Sequence, residues 1–171
     1  MIKTWLCVTT YPNWRVCCDK SLWGVKDSEA RSSAYGIEQL KKVKKGDRFV
    51  FYAGQEGIIG YFEVISDIFE ENTYIWTDEI YPKRVKLIKI IELDEPISFS
   101  KIKNNISNAQ TRNIIANGNA IEGKPMIPIS DDDAEYLVSL IKKQALEKRA
   151  GSHEDRLKRF KEAGMPTRFE S

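Results

Sequence analysis

The chain has 171 residues, 42% hydrophobic and 30% charged, with three cysteines, one histidine and a net charge of +2. At about 150 residues per domain this is one domain with a short extension, long enough to bury a core without disulfide or metal staples. The composition excludes collagen, low-complexity disorder and a disulfide-dense secreted scaffold, and no apolar run nears the roughly 20 residues of a membrane-spanning helix.

The opening Met1-Ile2-Lys3-Thr4-Trp5 predicts no signal peptide. Residues 4–9 are rich in strand formers and predict a strand, broken at Tyr11-Pro12-Asn13. Asn13 is placed to cap a short helix over 14–19, with Trp14, Cys17 and Cys18 at helical spacing. Residues 21–25 predict an extended piece ending in a turn, and 26–33 a polar loop. Ile37, Leu40 and Val43 form a stripe that predicts a helix of a turn or two over 35–43. Lys45-Gly46-Asp47 leads into a strand at 49–53, and 54–57 make a hairpin connection to a strand over 58–66. Gly60 inside that strand signals a bulge or a close backbone approach. Residues 67–80 are acidic and aromatic, a loop with room for a short strand.

Residues 84–91 alternate basic and apolar side chains like a half-buried strand, and Pro96 closes the region. Short helices are expected at 99–104 and 108–117, followed by punctuation at Gly118, Gly123, Pro125 and Pro128. Ser130 ahead of Asp131, Asp132 and Asp133 predicts a capped helix through Leu137, Leu140 and Ile141. Gly151-Ser152 is expected to interrupt it and start a second helix carrying Leu157 and Phe160. The sum is α+β: a small, mostly antiparallel sheet closed as a barrel, with flanking helices.

The charge is unevenly placed. From residue 142 onward the chain carries nine basic and five acidic side chains, and the remainder 18 and 20. A blanket electrostatic trap for nucleic acid is therefore excluded. Cys7, Cys17 and Cys18 cannot all pair, so reduced thiols and a cytoplasmic location are the simplest reading. No Cys/His set has zinc spacing, and a Cys–His catalytic pair is a poor reading because His153 lies in the polar, uncored tail. Neither a P-loop nor a dinucleotide fingerprint nor a Gly-x-Ser-x-Gly elbow occurs. No cofactor, metal or catalytic residue is expected.

The aromatic residues stand out. Trp5 and Trp14 read as core. Trp23 sits beside Gly24, between a short element and a polar loop. Trp76, between Tyr74 and Tyr81 in an acidic loop, is either a lid on the core or one wall of a pocket. Two facing rings suit a flat heterocycle, since stacking is worth about 1–3 kcal/mol per base without choosing the base. Choice comes from polar groups such as Thr9, Thr10 and Asn13, and a buried methyl group on the base adds about 0.8 kcal/mol.

Several runs, in order and spacing, resemble an EVE domain: Trp5-Leu6-Cys7-Val8-Thr9, Asn13-Trp14, Trp23-Gly24-Val25, 43–52, 59–64, 79–87 and 123–129. The likeness is closest to the small stand-alone archaeal and bacterial members. It implies a PUA-like domain over 1–141, related to YTH and ASCH domains, and leaves 142–171 as a charged helical extension. It also implies a non-enzymatic module that reads a modified nucleobase in RNA or DNA through an aromatic cage. Carried over by position, Trp23 is the first wall, with Gly24 and Val25 following it. Thr9, Thr10 and Asn13 are the polar end, Phe51, Tyr52 and Ala53 border the pocket, and Trp76 or Tyr81 is the second wall.

Phosphate contacts fall to local clusters: Lys41, Lys42, Lys44, Lys45 and Arg48; Lys83, Arg84, Lys86 and Lys89; and the tail with Arg156, Lys158, Arg159 and Lys161, with Lys26 beside the pocket. A solvated charged face is the plain alternative for each. Two other readings stand beside the first. One is an ASCH-like hydrolase of a modified nucleoside, drawing on Lys26, Glu63 or Thr10. The other is an interaction module whose tail helix docks on a partner or a second copy.

Overall fold

The computed structural model describes residues 2–26, 31–108, 111–112 and 125–162. In chain order these form β1 (Thr4–Thr9), α1 (Tyr11–Lys20), β2 (Leu22–Val25), α2 (Arg31–Leu40), β3 (Arg48–Ala53), β4 (Gly57–Val64), β5 (Phe69–Glu70) and β6 (Lys83–Ile97). There follow α3 (Phe99–Ile102) with a 3-10 turn (Lys103–Asn105), β7 (Met126–Pro128) and α4 (Asp131–Glu162). The strands run in one curled path, β2-β6-β4-β3-β1-β7, with β5 on the side of β6. Among the described residues only β1–β3 is parallel, and the other ladders are antiparallel. This is the expected α+β fold, a mostly antiparallel sheet with flanking helices, curled into a half-barrel rather than closed.

Strands β1 and β3 are apolar from Trp5 to Val8 and from Phe49 to Ala53 because both faces of the sheet are covered there. Trp5 and Cys7 of β1 and Phe49 and Phe51 of β3 join Trp14 and Cys17 of α1 on one face. Leu6, Val8, Val50 and Tyr52 join Leu137 and Ile141 of α4 on the other. Trp5 and Trp14 are core, as expected. Asp47 anchors the entry to β3: its buried carboxylate accepts from Trp5 Nε1 at 3.1 Å and from the backbone N–H groups of Lys3 and Lys44.

Gly60 meets both expectations. The β4–β6 register shifts beside it, and a Cβ there would lie 2.3 Å from Trp14 Cη2. The start of α1 differs from the expected one. Thr10, not Asn13, is the cap, its Oγ1 accepting from Asn13 N at 3.4 Å. Pro12 tolerates the first turn because its missing N–H has no helical partner there. Helix α2 ends at Leu40 and includes residues 31–33, which read as loop.

Strand β6 continues through Pro96, where the β4 register is irregular and a ladder N–H is not demanded. The residues flanking Pro125 and Pro128 hid β7, an edge strand on β1. Gly151 does not interrupt α4. Glycine costs a helix about 1 kcal/mol without any clash, and the helix runs on to Glu162. Most of the helix expected at 108–117 lies outside the described residues. No helix among the described residues is long and apolar enough to cross a membrane.

Candidate functional site

The site begins at the N-terminus of α1. Because Thr10 supplies the cap, the Asn13 side chain is free to reach sideways, and it clamps the loop between β5 and β6. Its Oδ1 accepts from Thr77 Oγ1 at 2.7 Å and Thr77 N at 3.1 Å, and its Nδ2 donates to Asp78 Oδ1 at 2.9 Å. Tyr81 donates its phenolic O–H to the other Asp78 oxygen at 2.7 Å. Burial pushes the Asp78 carboxyl up, but the bonds from Tyr81 and Asn13 outweigh it and hold it below its ordinary range. Burial and the Asp78 carboxylate push the Tyr81 phenol well up.

The loop's neck is closed by Glu71 N donating to Pro82 O at 2.9 Å. Inside it, Trp76 is 3% exposed although most of its neighbours in the loop are exposed. Its Nε1 donates to Cys17 Sγ at 3.3 Å and its ring meets Tyr81 edge-on at 5.5 Å. Burial holds the Cys17 thiol at about 12, so it sits there as a neutral sulfur. The Arg84 guanidinium lies 5.0 Å from the Trp76 ring centroid.

Gly24 completes the enclosure. A Cβ there would lie 2.7 Å from Trp76 Cη2 and 2.9 Å from Tyr81 O, so any other residue would displace the indole from this position. Side chains alternate along β2, so the Trp23 side chain and the open side of Gly24 point to opposite faces. Trp23 is 4% exposed, edge-on to Phe51 at 5.6 Å and Phe49 at 6.4 Å, with Nε1 donating to Met126 Sδ at 3.4 Å. The two indoles thus stand on either side of the β2 backbone.

The fold brings Asn13, Gly24, Trp76 and Tyr81 into one contact network, with Thr10 one hydrogen bond away and Trp23 behind it. Val25 is buried in the same core cluster. Alternation divides the triplet at the end of β3: Phe51 and Ala53 face α1, while Tyr52 faces α4. Thr9 is held through its backbone carbonyl, which accepts from Gly54 N.

The expected phosphate contacts fare unevenly. Arg84 is fully buried: Nε donates to Tyr81 O, Nη1 to Glu71 and Thr73 Oγ1, and Nη2 to the carbonyls of Thr73 and Ile80. It is therefore not a surface cation but the internal brace of the Trp76 loop. Lys26 pairs with Glu79, Lys45 with Asp67, Arg48 with Glu63 and Lys83 with Glu70. Lys44 is exposed beside Lys45.

The hydrolase candidates are each already engaged. Lys26 follows β2, Thr10 caps α1, and Glu63 is ion-paired on β4. No group of three or more metal-ligating side chains occurs among the described residues. Sequence reasoning missed the bracing by Arg84 and the clamp by Asn13. The available signal was an arginine in an alternating strand followed in space by an acidic loop.

The sequence and the fold have known relatives. The EVE domain model matches residues 3–140. A UPF0310 protein of Pyrococcus abyssi is 31% identical over 157 residues, spanning 80% of this chain and 98% of that protein. The fold is similar to that of the Mmi1 YTH domain solved in complex with RNA, with a TM-score of 0.53 and 19% identity over 85% of this chain and 81% of that one. It is also similar to human THYN1 solved in complex with 5-methylcytosine-containing DNA, with a TM-score of 0.51 and 14% identity over 81% of this chain and 96% of that one. The chain belongs to the EVE domain family.

Proposed function

We propose that this protein is a nucleic-acid-binding module that reads a modified base where the Trp76 loop meets Gly24, with Trp23 behind it. The observation that carries the reading is the convergence of Asn13, Gly24, Trp76 and Tyr81, from three separated stretches of chain, on one aromatic and hydrogen-bonding site. Similarity of fold to domains solved with RNA and with methylated DNA supports it.

The Trp76 indole fills the site, so a base enters by trading places with contacts the loop makes. Those contacts are mostly polar, and a ligand with its own donors and acceptors replaces them at small net cost. Stacking on Trp76 or Tyr81 supplies affinity, while Asn13 and the backbone beside Gly24 supply the choice of base. A single-stranded or loop nucleotide avoids the few kcal/mol needed to flip a paired base.

The test is binding of single-stranded RNA and DNA pentamers, with and without a methyl group on one base, to the wild type and Trp76→Ala. The expected result is preference for a methylated pentamer and a loss of about tenfold or more in the variant. Equal binding by both proteins removes Trp76 from the site. Trp23→Ala is read only alongside a melting curve, because that indole is buried.

A further inference from the structure

We propose that the cleft beside β5 is a second nucleotide subsite, taking a neighbour of the base read at Trp76. This rests on the nucleic-acid reading above. The cleft, about 810 Å³, is formed by Lys20, Leu22, Ile65, Ile68, Phe69 and Lys86. It offers the two things a nucleotide needs. Phe69 is a half-buried ring with Lys86 Nζ 5.8 Å from its centroid, and Ile65 and Ile68 extend an exposed apolar surface for a base.

The charge favours an anion although the lining residues nominally balance. Of the rim carboxylates, Asp67 faces Lys45 at 3.7 Å and Glu71 is held by Arg84 at 2.6 Å. Lys20 and Lys86 have no carboxylate partner among the described residues. Two uncompensated ammonium groups beside an aromatic ring suit a phosphate and its base better than an apolar peptide.

The register ties this cleft to the first site. Gly24 and Phe69 both pair with Arg84, from its two sides. At about 4.8 Å per ladder, their backbones lie about 10 Å apart. Strand β5 then leads directly into the loop that carries Trp76. A single strand bound with one base at Trp76 therefore has its neighbour within reach of Phe69.

The test measures anisotropy of labelled RNA and DNA pentamers, and of the matching mononucleotide, at several salt concentrations. Variants are the double substitution Lys20→Gln with Lys86→Gln, Phe69→Ala, and Trp76→Ala as the marker of the first site. Both lysines are exposed, so the double variant keeps the fold. It is expected to weaken pentamer binding about tenfold, leave the mononucleotide unchanged and flatten the slope of log K against log salt by about 1.4, at 0.7 per phosphate on a single strand. Phe69→Ala is expected to cost about tenfold on the pentamer at an unchanged salt slope.

Pentamer binding that depends on Trp76 but not on the lysines or Phe69 overturns the subsite and leaves the first site standing. Binding that depends on the cleft but not on Trp76 overturns the base-reading site, and with it the neighbour role. Absence of any oligonucleotide binding overturns both. Self-association abolished by Phe69→Ala, seen by sedimentation, assigns the cleft to a second copy and overturns the proposal.

Discussion

Among the described residues an indole packs onto a glycine twice, both times in the same buried cluster, and the groups around the two rings differ. Trp14 lies on Gly60 with Phe51 at 5.1 Å and Phe62 at 5.7 Å. Its Nε1 is buried without a hydrogen-bond partner among the described residues. Trp76 lies on Gly24 with a guanidinium over its ring, a phenol at its edge and a sulfur accepting its N–H. The first is sealed by apolar contacts that nothing in solution replaces. The second is held by polar contacts that a ligand or a proton can exchange. Burial alone therefore does not separate core from site; the chemistry of the neighbours does.

The sharpest way to break the comparison is to fill both glycines. In Gly60→Ala the new methyl meets the far edge of Trp14, wedged between two phenylalanines that cannot yield. A loss of about 3 kcal/mol is expected by urea denaturation. In Gly24→Ala the methyl meets Trp76 and the Tyr81 carbonyl, but the loop can shift outward. The expected loss is smaller, about 1–2 kcal/mol, while oligonucleotide binding falls by tenfold or more. Equal destabilisation by the two substitutions contradicts the distinction.

Cutting the clamp is expected to matter less again. Asn13→Ala removes three hydrogen bonds to the loop at a net cost of about 1–2 kcal/mol, and it leaves α1 capped by Thr10. Tryptophan emission, resolved against a Trp14→Phe background, is expected to shift to the red as Trp76 meets water. An unchanged spectrum and melting temperature mean that Asn13 does not hold the loop.

The smallest effect is a pH response. The folded carboxyl of Asp78 lies below its unfolded value of about 3.9. Its contribution is therefore present above about pH 4 and fades as pH falls through the lowered value. The Trp14 region has no titrating neighbour among its ring contacts. Acidification from pH 5 to 3 is expected to loosen the Trp76 loop first, seen as earlier hydrogen exchange at residues 72–81 than at β3 and β4. Simultaneous loss of protection in both regions speaks against a separate latch.

Much of the fold was legible in the residues, for physical reasons. Apolar strand formers marked β1, broken at Tyr11-Pro12-Asn13, and marked β3 and β4 between Gly and Asp, while Gly60 signalled a bulge or a close approach whose partner the structure shows to be Trp14. Ser130 with its three aspartates marked the start of α4. The failures share a cause. Pro96, Pro125 and Pro128 read as breaks, yet a proline on an edge or at an irregular register costs no ladder bond. Gly151 read as an interruption, yet it only weakens a long helix.

At the site, the segments that carry it were visible but their roles were not. Trp23 reads as one wall and Trp76 or Tyr81 as the other, and spacing in sequence does not reveal which face of β2 each ring meets. Arg84 looked like a surface cation because its five donors are satisfied only after the loop folds over it.

The four indole N–H groups provide the most direct test of the central claim, because each has a different setting. Trp5 donates to Asp47, Trp23 to Met126 and Trp76 to Cys17, while Trp14 has no partner among the described residues. Nitrogen-15 spectra of these groups, recorded while methylated and unmethylated single-stranded pentamers are added, are predicted to move the Trp76 signal most and Trp23 next, with Trp5 and Trp14 fixed. Saturable binding that leaves Trp76 unmoved, or that moves Trp5 or Trp14 instead, contradicts the account.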